Sequence, residues 1–115
     1  MLNGCKGGAM KSKTIERVQS IVQEDVKALE KAEQSYGDSW KKRGGVGAYM
    51  MLARKWDRIE KQVEELNSYD ILEALKKDNR EEGIIDDIRD LRRYLLLVEQ
   101  QARVDLLEKL KVKNK

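Results

Sequence analysis

The chain of 115 residues contains no proline, so no residue in it is barred from the interior of a helix. Apolar residues recur at three- and four-residue spacing in four segments, which is typical of amphipathic helices, and no alternating strand pattern occurs. The spacing predicts helices over residues 12–35, 46–66, 71–77 and 84–110. We therefore expect an all-α fold, a small helical bundle of three long helices and one short helix.

The two ends of the chain differ in composition from its middle. The glycine-rich stretch "MLNGCKGGAM" holds the single cysteine, Cys5, and no helical pattern. We expect a flexible leader over 1–11, one helical domain over 12–110 and a frayed basic tail over 111–115. A lone cysteine and the lack of a long apolar run predict a cytoplasmic protein that does not enter a membrane. If a phage encodes it, that cytoplasm is the host's.

Composition excludes several classes of site. Histidine is absent, which removes a His general base, a His-ligated zinc and a Ser-His-Asp arrangement. With 24 Lys and Arg against 21 Asp and Glu, the net charge is +3, too mild to predict nucleic-acid binding.

Helix four has surplus leucines beside its main stripe, which predicts a homo-oligomer. These leucines are Leu96, Leu97, Leu106 and Leu107.

Charged residues interrupt the apolar stripes of the predicted helices. Lys55 falls on the apolar side of helix two, Asp25 falls on that of helix one, and Asp87 borders the stripe of helix four. Asp90 and Tyr94 follow on the same flank. An ion that faces a bundle interior costs several kcal/mol unless it is paired or bound. Two interpretations stay open, a structural ion pair of Lys55 with Asp25 or Asp87, and a polar ligand pocket between helices.

Two acidic pairs have i, i+3 spacing, so each pair projects from one helix face. They are Asp57 with Glu60 in "DRIE" and Asp87 with Asp90 in "DDIRD". Such pairs on neighbouring helices could hold Mg²⁺ among oxygen ligands. The alternative is a solvated charged face, because charge is abundant along the whole chain.

A basic and glycine-rich segment, "WKKRGGVG", leads into helix two. Free amide groups at a helix start favour an anion, and we expect them at the same end of the bundle as Lys55. The segment lacks the GK[ST] ending of a phosphate-binding P-loop. A flexible loop with solvated cations is the alternative. The candidate anion-binding residues here are Trp40, Lys41, Lys42 and Arg43.

Two stretches, "YGDSWKKRGGVGAYMMLARKWDRIE" and "GIIDDIRDLRRYLLL", resemble the small phage and bacterial nucleotide-modification-associated domain proteins. That type is similar to the all-α nucleoside triphosphate pyrophosphohydrolases of the MazG kind. The resemblance covers about residues 36 to 98. It implies an oligomeric helical bundle in which an ExxE and an ExxD pair bind Mg²⁺ and a metal-activated water cleaves between the α and β phosphates.

The resemblance assigns roles to positions of this chain. The metal pairs correspond to Asp57 with Glu60 and Asp87 with Asp90, although Asp57 and Asp87 stand where the family pattern has the longer glutamate. We expect Lys55, Glu60 and Asp87 in catalytic roles, with the cofactor Mg²⁺. The expected substrate-binding residues are Trp40, Lys41, Lys42, Arg43, Lys55, Arg58 and Tyr94.

The function expected from this resemblance is that of a Mg²⁺-dependent nucleoside triphosphate pyrophosphohydrolase-like protein in phage nucleotide metabolism. Two alternatives remain at this point. One is a phage accessory protein that binds a nucleotide without catalysis, and the other is a helical assembly or interaction module.

Overall fold

The computed structural model describes residues 12–67 and 69–113, and the predicted leader over 1–11 lies outside them. The all-α prediction is confirmed, because this described part of the chain contains no strand. A 3₁₀ turn at Ser39–Lys41 precedes the second helix. The α-helices of these described residues are α1 (Lys13–Tyr36), α2 (Gly44–Asn67), α3 (Ile71–Lys77) and α4 (Ile84–Lys113). None of these helices is long and apolar enough to cross a membrane.

The chain divides into two compact units between Gly37 and Asp38, and the predicted single domain over 12–110 stays a prediction. The described residues of the first unit form α1. Its start is capped by the Ser12 side chain, which accepts a hydrogen bond from the backbone amide of Ile15 at 3.1 Å, as an N-cap serine commonly does. Within α1 the side chain of Asp25 is buried, as its position on the apolar stripe predicted.

In the second unit α2 and α4 run antiparallel, because the partners of successive α2 residues fall earlier and earlier along α4. Lys41, just ahead of α2, contacts Gln101, Lys55 contacts Asp90 and Arg58 contacts Asp87. The short α3 packs against the C-terminal half of α2. The apolar core of this unit has four buried residues, Ile59, Val63, Ala74 and Ile84. Packed against it are Leu66, Leu75, Ile88 and Leu91.

The start of α2 differs from the prediction. The glycines of "WKKRGGVG" were expected in a loop, but Gly44 already begins the helix, with a positive φ of 75° that favours glycine. Glycine is a poor helix former. Packing of α2 on α4, with the hydrogen bond from Lys41 Nζ to Gln101 Oε1 at 3.0 Å, outweighs that propensity here.

The end of α4 also differs from the prediction. The helix continues through Lys113, so residues 111–113 of the expected frayed tail are helical. Lys111 lies 3.9 Å from Glu108, one turn earlier, and a cation near the end of a helix is favoured by the helix dipole. Residues 114–115 of the predicted tail lie outside the described part.

Candidate functional site

Four of the predicted site residues meet in one layer between α2 and α4. Lys55 Nζ lies 2.9 Å from Asp90 Oδ2 and 3.9 Å from Asp87 Oδ1. One turn further along α2, Arg58 Nε donates a hydrogen bond to Asp87 Oδ1 at 2.9 Å. The layer thus holds two cations and two carboxylates in mutual contact, and we call these four residues the charged layer.

The charged layer forms where the apolar stripes of the two helices continue into charged positions. On α2, Arg58 directly precedes the buried Ile59, and on α4 the buried Ile84 lies one turn ahead of Asp87. Helical periodicity therefore points Lys55 and Asp87 at the partner helix. The sequence left Asp25 and Asp87 open as partners of Lys55. The structure shows Lys55 in contact with Asp87, and closer still to Asp90, which was not one of the two.

Burial is very uneven within the charged layer. The Asp87 side chain is 2% exposed, whereas Lys55 is 23% and Arg58 42% exposed. Only one oxygen of Asp87 is engaged, because its buried Oδ2 has no hydrogen-bond partner. A buried carboxylate oxygen without a donor is costly and calls for a partner such as an ion or a water molecule. Asp87 is therefore the least satisfied position of the layer.

The other acidic pair does not join the charged layer. Asp57 and Glu60 are exposed on α2. Among residues 12–67 and 69–113 no three acidic side chains come close enough together to hold a metal ion. The predicted site with four carboxylates is thus not assembled in that part of the chain, and its metal-binding role stays a prediction.

Asp87 and Asp90 by themselves fit a divalent cation of the Mg²⁺ type. They project from one face of α4, and Asp87 Oδ2 is a bare buried oxygen. Mg²⁺ is usually bound by one or two protein carboxylates together with substrate phosphates and waters. The donor chemistry of this pair therefore suits a cation that shares its coordination with a phosphorylated ligand.

A shallow groove runs along α2 beside the charged layer and carries an excess of positive charge. Three cations and one carboxylate line it, with two apolar residues. The lining residues are Met50, Ala53, Arg54, Asp57, Arg58 and Lys61. Arg58 belongs to both places, because its Nε also binds Asp87. We call this feature the basic groove.

The predicted basic segment at the start of α2 lies apart from the charged layer. Lys41 is bound to Gln101 and lies 3.8 Å from Asp38, while Lys42 and Arg43 are exposed. From Gly44 to Lys55 the helix rises about 16 Å. The expectation that the glycines and Lys55 share one end of the bundle is therefore wrong, and the segment keeps an anion-binding role only as a prediction.

Trp40 and Tyr94, the two aromatic residues of the predicted site, are both half-buried but lie at different levels. Trp40 is in the 3₁₀ turn ahead of α2. Tyr94 lies on α4 one turn beyond Asp90, and is thus the aromatic residue nearer to the charged layer along the chain.

A second ionic contact, which no sequence pattern indicated, lies at the turn between α3 and α4. Asp78 accepts hydrogen bonds from Arg80 Nε at 2.9 Å and Nη2 at 3.1 Å, and from the backbone amide of Ile84 at 2.6 Å. The bond from Arg80 holds the pKa of Asp78 well below its usual range. Asp78, and after it Asp87, raise the pKa of Arg80. In the sequence this stretch, "KDNREEG", marks only a break between helices.

Comparison with protein-family models, with curated proteins and with solved structures finds no match to this chain. The charged layer and the basic groove are therefore interpreted from their own chemistry.

Proposed function

We propose that the chain binds a nucleoside triphosphate together with Mg²⁺ and hydrolyses it to a monophosphate and pyrophosphate. One observation carries the proposal. Lys55, Arg58, Asp87 and Asp90, which come from two distant parts of the sequence, meet in one layer with a buried carboxylate oxygen that lacks a partner. The resemblance to MazG-type pyrophosphohydrolases, which assigns cation and acid roles to these same positions, supports it.

The roles follow from the chemistry of each group. Asp87 and Asp90 would hold Mg²⁺, which when bound supplies positive charge at the phosphates and an acidified water. Lys55 and Arg58 bind and orient phosphate oxygens, for which the planar guanidinium of Arg58 is well suited. Glu60, exposed on α2, keeps its predicted role as a catalytic residue and metal ligand, and Tyr94 that of a substrate contact.

Nucleotide binding without turnover is the second candidate. A specific observation favours it, because Asp57 and Glu60 are exposed and the two acidic pairs do not gather. Asp57 and Asp87 are also one methylene shorter than the glutamates of the family pattern, which shortens their reach to a metal ion.

We also propose that the protein assembles as a homo-oligomer. Large apolar side chains remain exposed on α4, where Leu106 is 58%, Leu107 60% and Leu110 55% exposed. Exposed apolar surface of this kind marks association sites, and burying each such side chain contributes about 1.5 to 3 kcal/mol. Sedimentation analysis of the wild type and of Leu107→Glu tests this. A wild-type chain that sediments as a monomer over the whole accessible concentration range would exclude the assembly.

The catalytic proposal is tested by calorimetric titration with a panel of dNTPs, with and without Mg²⁺, followed by product analysis of the same samples. Asp87→Asn removes the central charge, and Asp105→Asn on the exposed part of α4 is the matched control. We expect wild type and Asp105→Asn to release monophosphate and pyrophosphate, and Asp87→Asn to release neither. Binding without products favours the second candidate. Absence of binding leaves the charged layer as a structural ion-pair network and the chain as an assembly module.

A further inference from the structure

We propose that phosphate groups bind in the basic groove, and that Arg58 couples their binding to the binding of a divalent cation by Asp87. When Arg58 turns to the phosphate, it releases the Asp87 carboxylate. In the structure Arg58 and Lys55 lie against Asp87 and Asp90 as internal counterions. A phosphate in the basic groove draws Arg58 away, and the carboxylate becomes available. This inference rests on the proposed function and specifies how the site is loaded.

Charge in the basic groove is the first argument. Arg54, Arg58 and Lys61 line it, opposed only by the carboxylate of Asp57. Arginine binds phosphate through paired hydrogen bonds, and cations one turn apart on a helix face the same side. The groove thus offers three cations to a phosphate. Because Arg58 belongs to both places, the groove and the charged layer together hold four cations against three carboxylates.

The position of Arg58 is the second argument. It lines the groove and also binds Asp87, to which it donates through Nε at 2.9 Å. Its side chain is 42% exposed, so a rotamer change toward the groove needs no rearrangement of the core. Arg54 lies one turn earlier on the same groove and provides a comparison residue for the experiment.

The third argument is the electrostatic repulsion that a divalent cation meets when it binds without a phosphate. Asp87 Oδ1 and Asp90 Oδ2 are already engaged by Arg58 and Lys55, and a further cation is repelled by both at short range. When a phosphate takes Arg58, this repulsion falls and the Asp87 carboxylate loses the closer of its two counterions, while Lys55 remains at 3.9 Å. The affinity for the cation should therefore rise with phosphate present, and by linkage the phosphate affinity rises by the same factor with the cation present.

The experiment uses inorganic triphosphate as the probe, so that base recognition plays no part. The affinity for Mg²⁺ is measured by calorimetry with and without the probe in the wild type, R58Q, R58K and R54Q. A protein-free titration gives the Mg²⁺ that triphosphate itself binds. After this is subtracted, we expect triphosphate to raise the Mg²⁺ affinity of the wild-type protein at least about 5-fold, a common size for coupling between sites. R58Q should bind Mg²⁺ alone more tightly than the wild type and lose most of the coupling.

R54Q is the matched control, because it removes a groove cation that has no contact with Asp87. It should weaken triphosphate binding and leave the affinity for Mg²⁺ alone unchanged. R58K keeps the charge and should recover part of the coupling, which separates a coupling role from a loss of folding in R58Q. Thermal melts verify that each variant is folded.

Two results would overturn the inference without touching the proposed function. One is wild-type protein that binds Mg²⁺ equally well with and without triphosphate. The other is R58Q with undiminished coupling. If the wild-type protein hydrolyses dNTPs but shows either result, the proposed function stands. The phosphate and Mg²⁺ then bind without coupling through Arg58. Failure to bind any phosphate compound removes the proposed function and the inference together.

Discussion

The carboxylate of Asp78 occupies the space into which a side chain at Gly83 would project. A Cβ atom built on Gly83 would meet Oδ2 and Cγ of Asp78, and the same Oδ2 accepts the hydrogen bond from the Ile84 amide. Glycine at position 83 thus allows an acidic side chain from the end of α3 to reach the first turn of α4. The start of α4, and with it the placement of Asp87, depends on this close approach.

Gly83→Ala should therefore destabilise the protein by about 1 to 3 kcal/mol, the usual cost of overpacking. Gly45→Ala is the matched control, because a Cβ at Gly45 meets nothing within 4 Å. Alanine there should be neutral or add up to about 1 kcal/mol through its higher helix propensity. Urea denaturation of both variants measures the difference. Equal stability of the two would show that Asp78 moves aside at no cost.

Asp78→Ala removes a charged acceptor from the first turn of α4. The Ile84 amide would lose its partner and Arg80 would lose three hydrogen bonds, two from its guanidinium and one from its backbone amide, so we expect a loss of about 1 to 2 kcal/mol, as for a helix cap. Asp38→Ala, an exposed carboxylate 3.8 Å from Lys41, should change the free energy of unfolding by less than about 0.5 kcal/mol. Chemical denaturation of the two variants compares these values, and similar losses would contradict a capping role for Asp78.

The loss of folding stability at acid pH should depend on Asp78. Its pKa is lowered in the folded protein, chiefly by the hydrogen bond from Arg80. A carboxyl group of this kind stabilises the fold above its unfolded pKa of about 3.9, and the contribution is lost as the pH falls through the folded pKa. Urea midpoints from about pH 7 down to about pH 2 should fall less steeply for Asp78→Asn than for the wild type. A wild-type slope in the variant would assign the acid sensitivity to other carboxylates.

Arg58 and Asp87 should show strong energetic coupling. Arg58→Leu leaves the buried Asp87 with Lys55 at 3.9 Å as its remaining counterion, and we expect a loss of about 2 kcal/mol, less than for a fully buried pair because Arg58 is partly exposed. In the double variant, Arg58→Leu with Asp87→Leu, apolar groups replace both partners. Its loss should fall short of the sum of the single losses by about 1 kcal/mol or more. Additive losses in the thermal or urea data would mean that Arg58 and Asp87 do not interact in solution.

Most helix boundaries were predictable from spacing alone. The predicted 71–77 agrees with α3 at Ile71–Lys77, and α1 begins and ends one residue later than expected. The start of α2 was not predictable, because glycine propensity favours a loop there and the contact that opposes it, Lys41 with Gln101, joins residues distant in the sequence.

The candidate site was predictable in part, as the helix boundaries were. The helical wheel placed Lys55 and Asp87 toward the apolar side, and both lie there. It could not rank Asp90 above Asp87 as the closer partner of Lys55, since both face the same flank and the choice depends on side-chain rotamers. Nor could it find the contact of Asp78 with Ile84, because an acceptor six residues before the amide matches no regular capping spacing.

The charged layer and the apolar core follow one another without a spacer on α2, where Arg58 adjoins Ile59. One residue inserted between them would turn the following segment by about 100°. Either the ionic contacts with Asp87 and Asp90 or the packing of Ile59 and Val63 could then face α4, but not both. The two layers therefore fix a single alignment of α2 with α4, and changes in chain length can be accepted in the turns but not within this part of the helix.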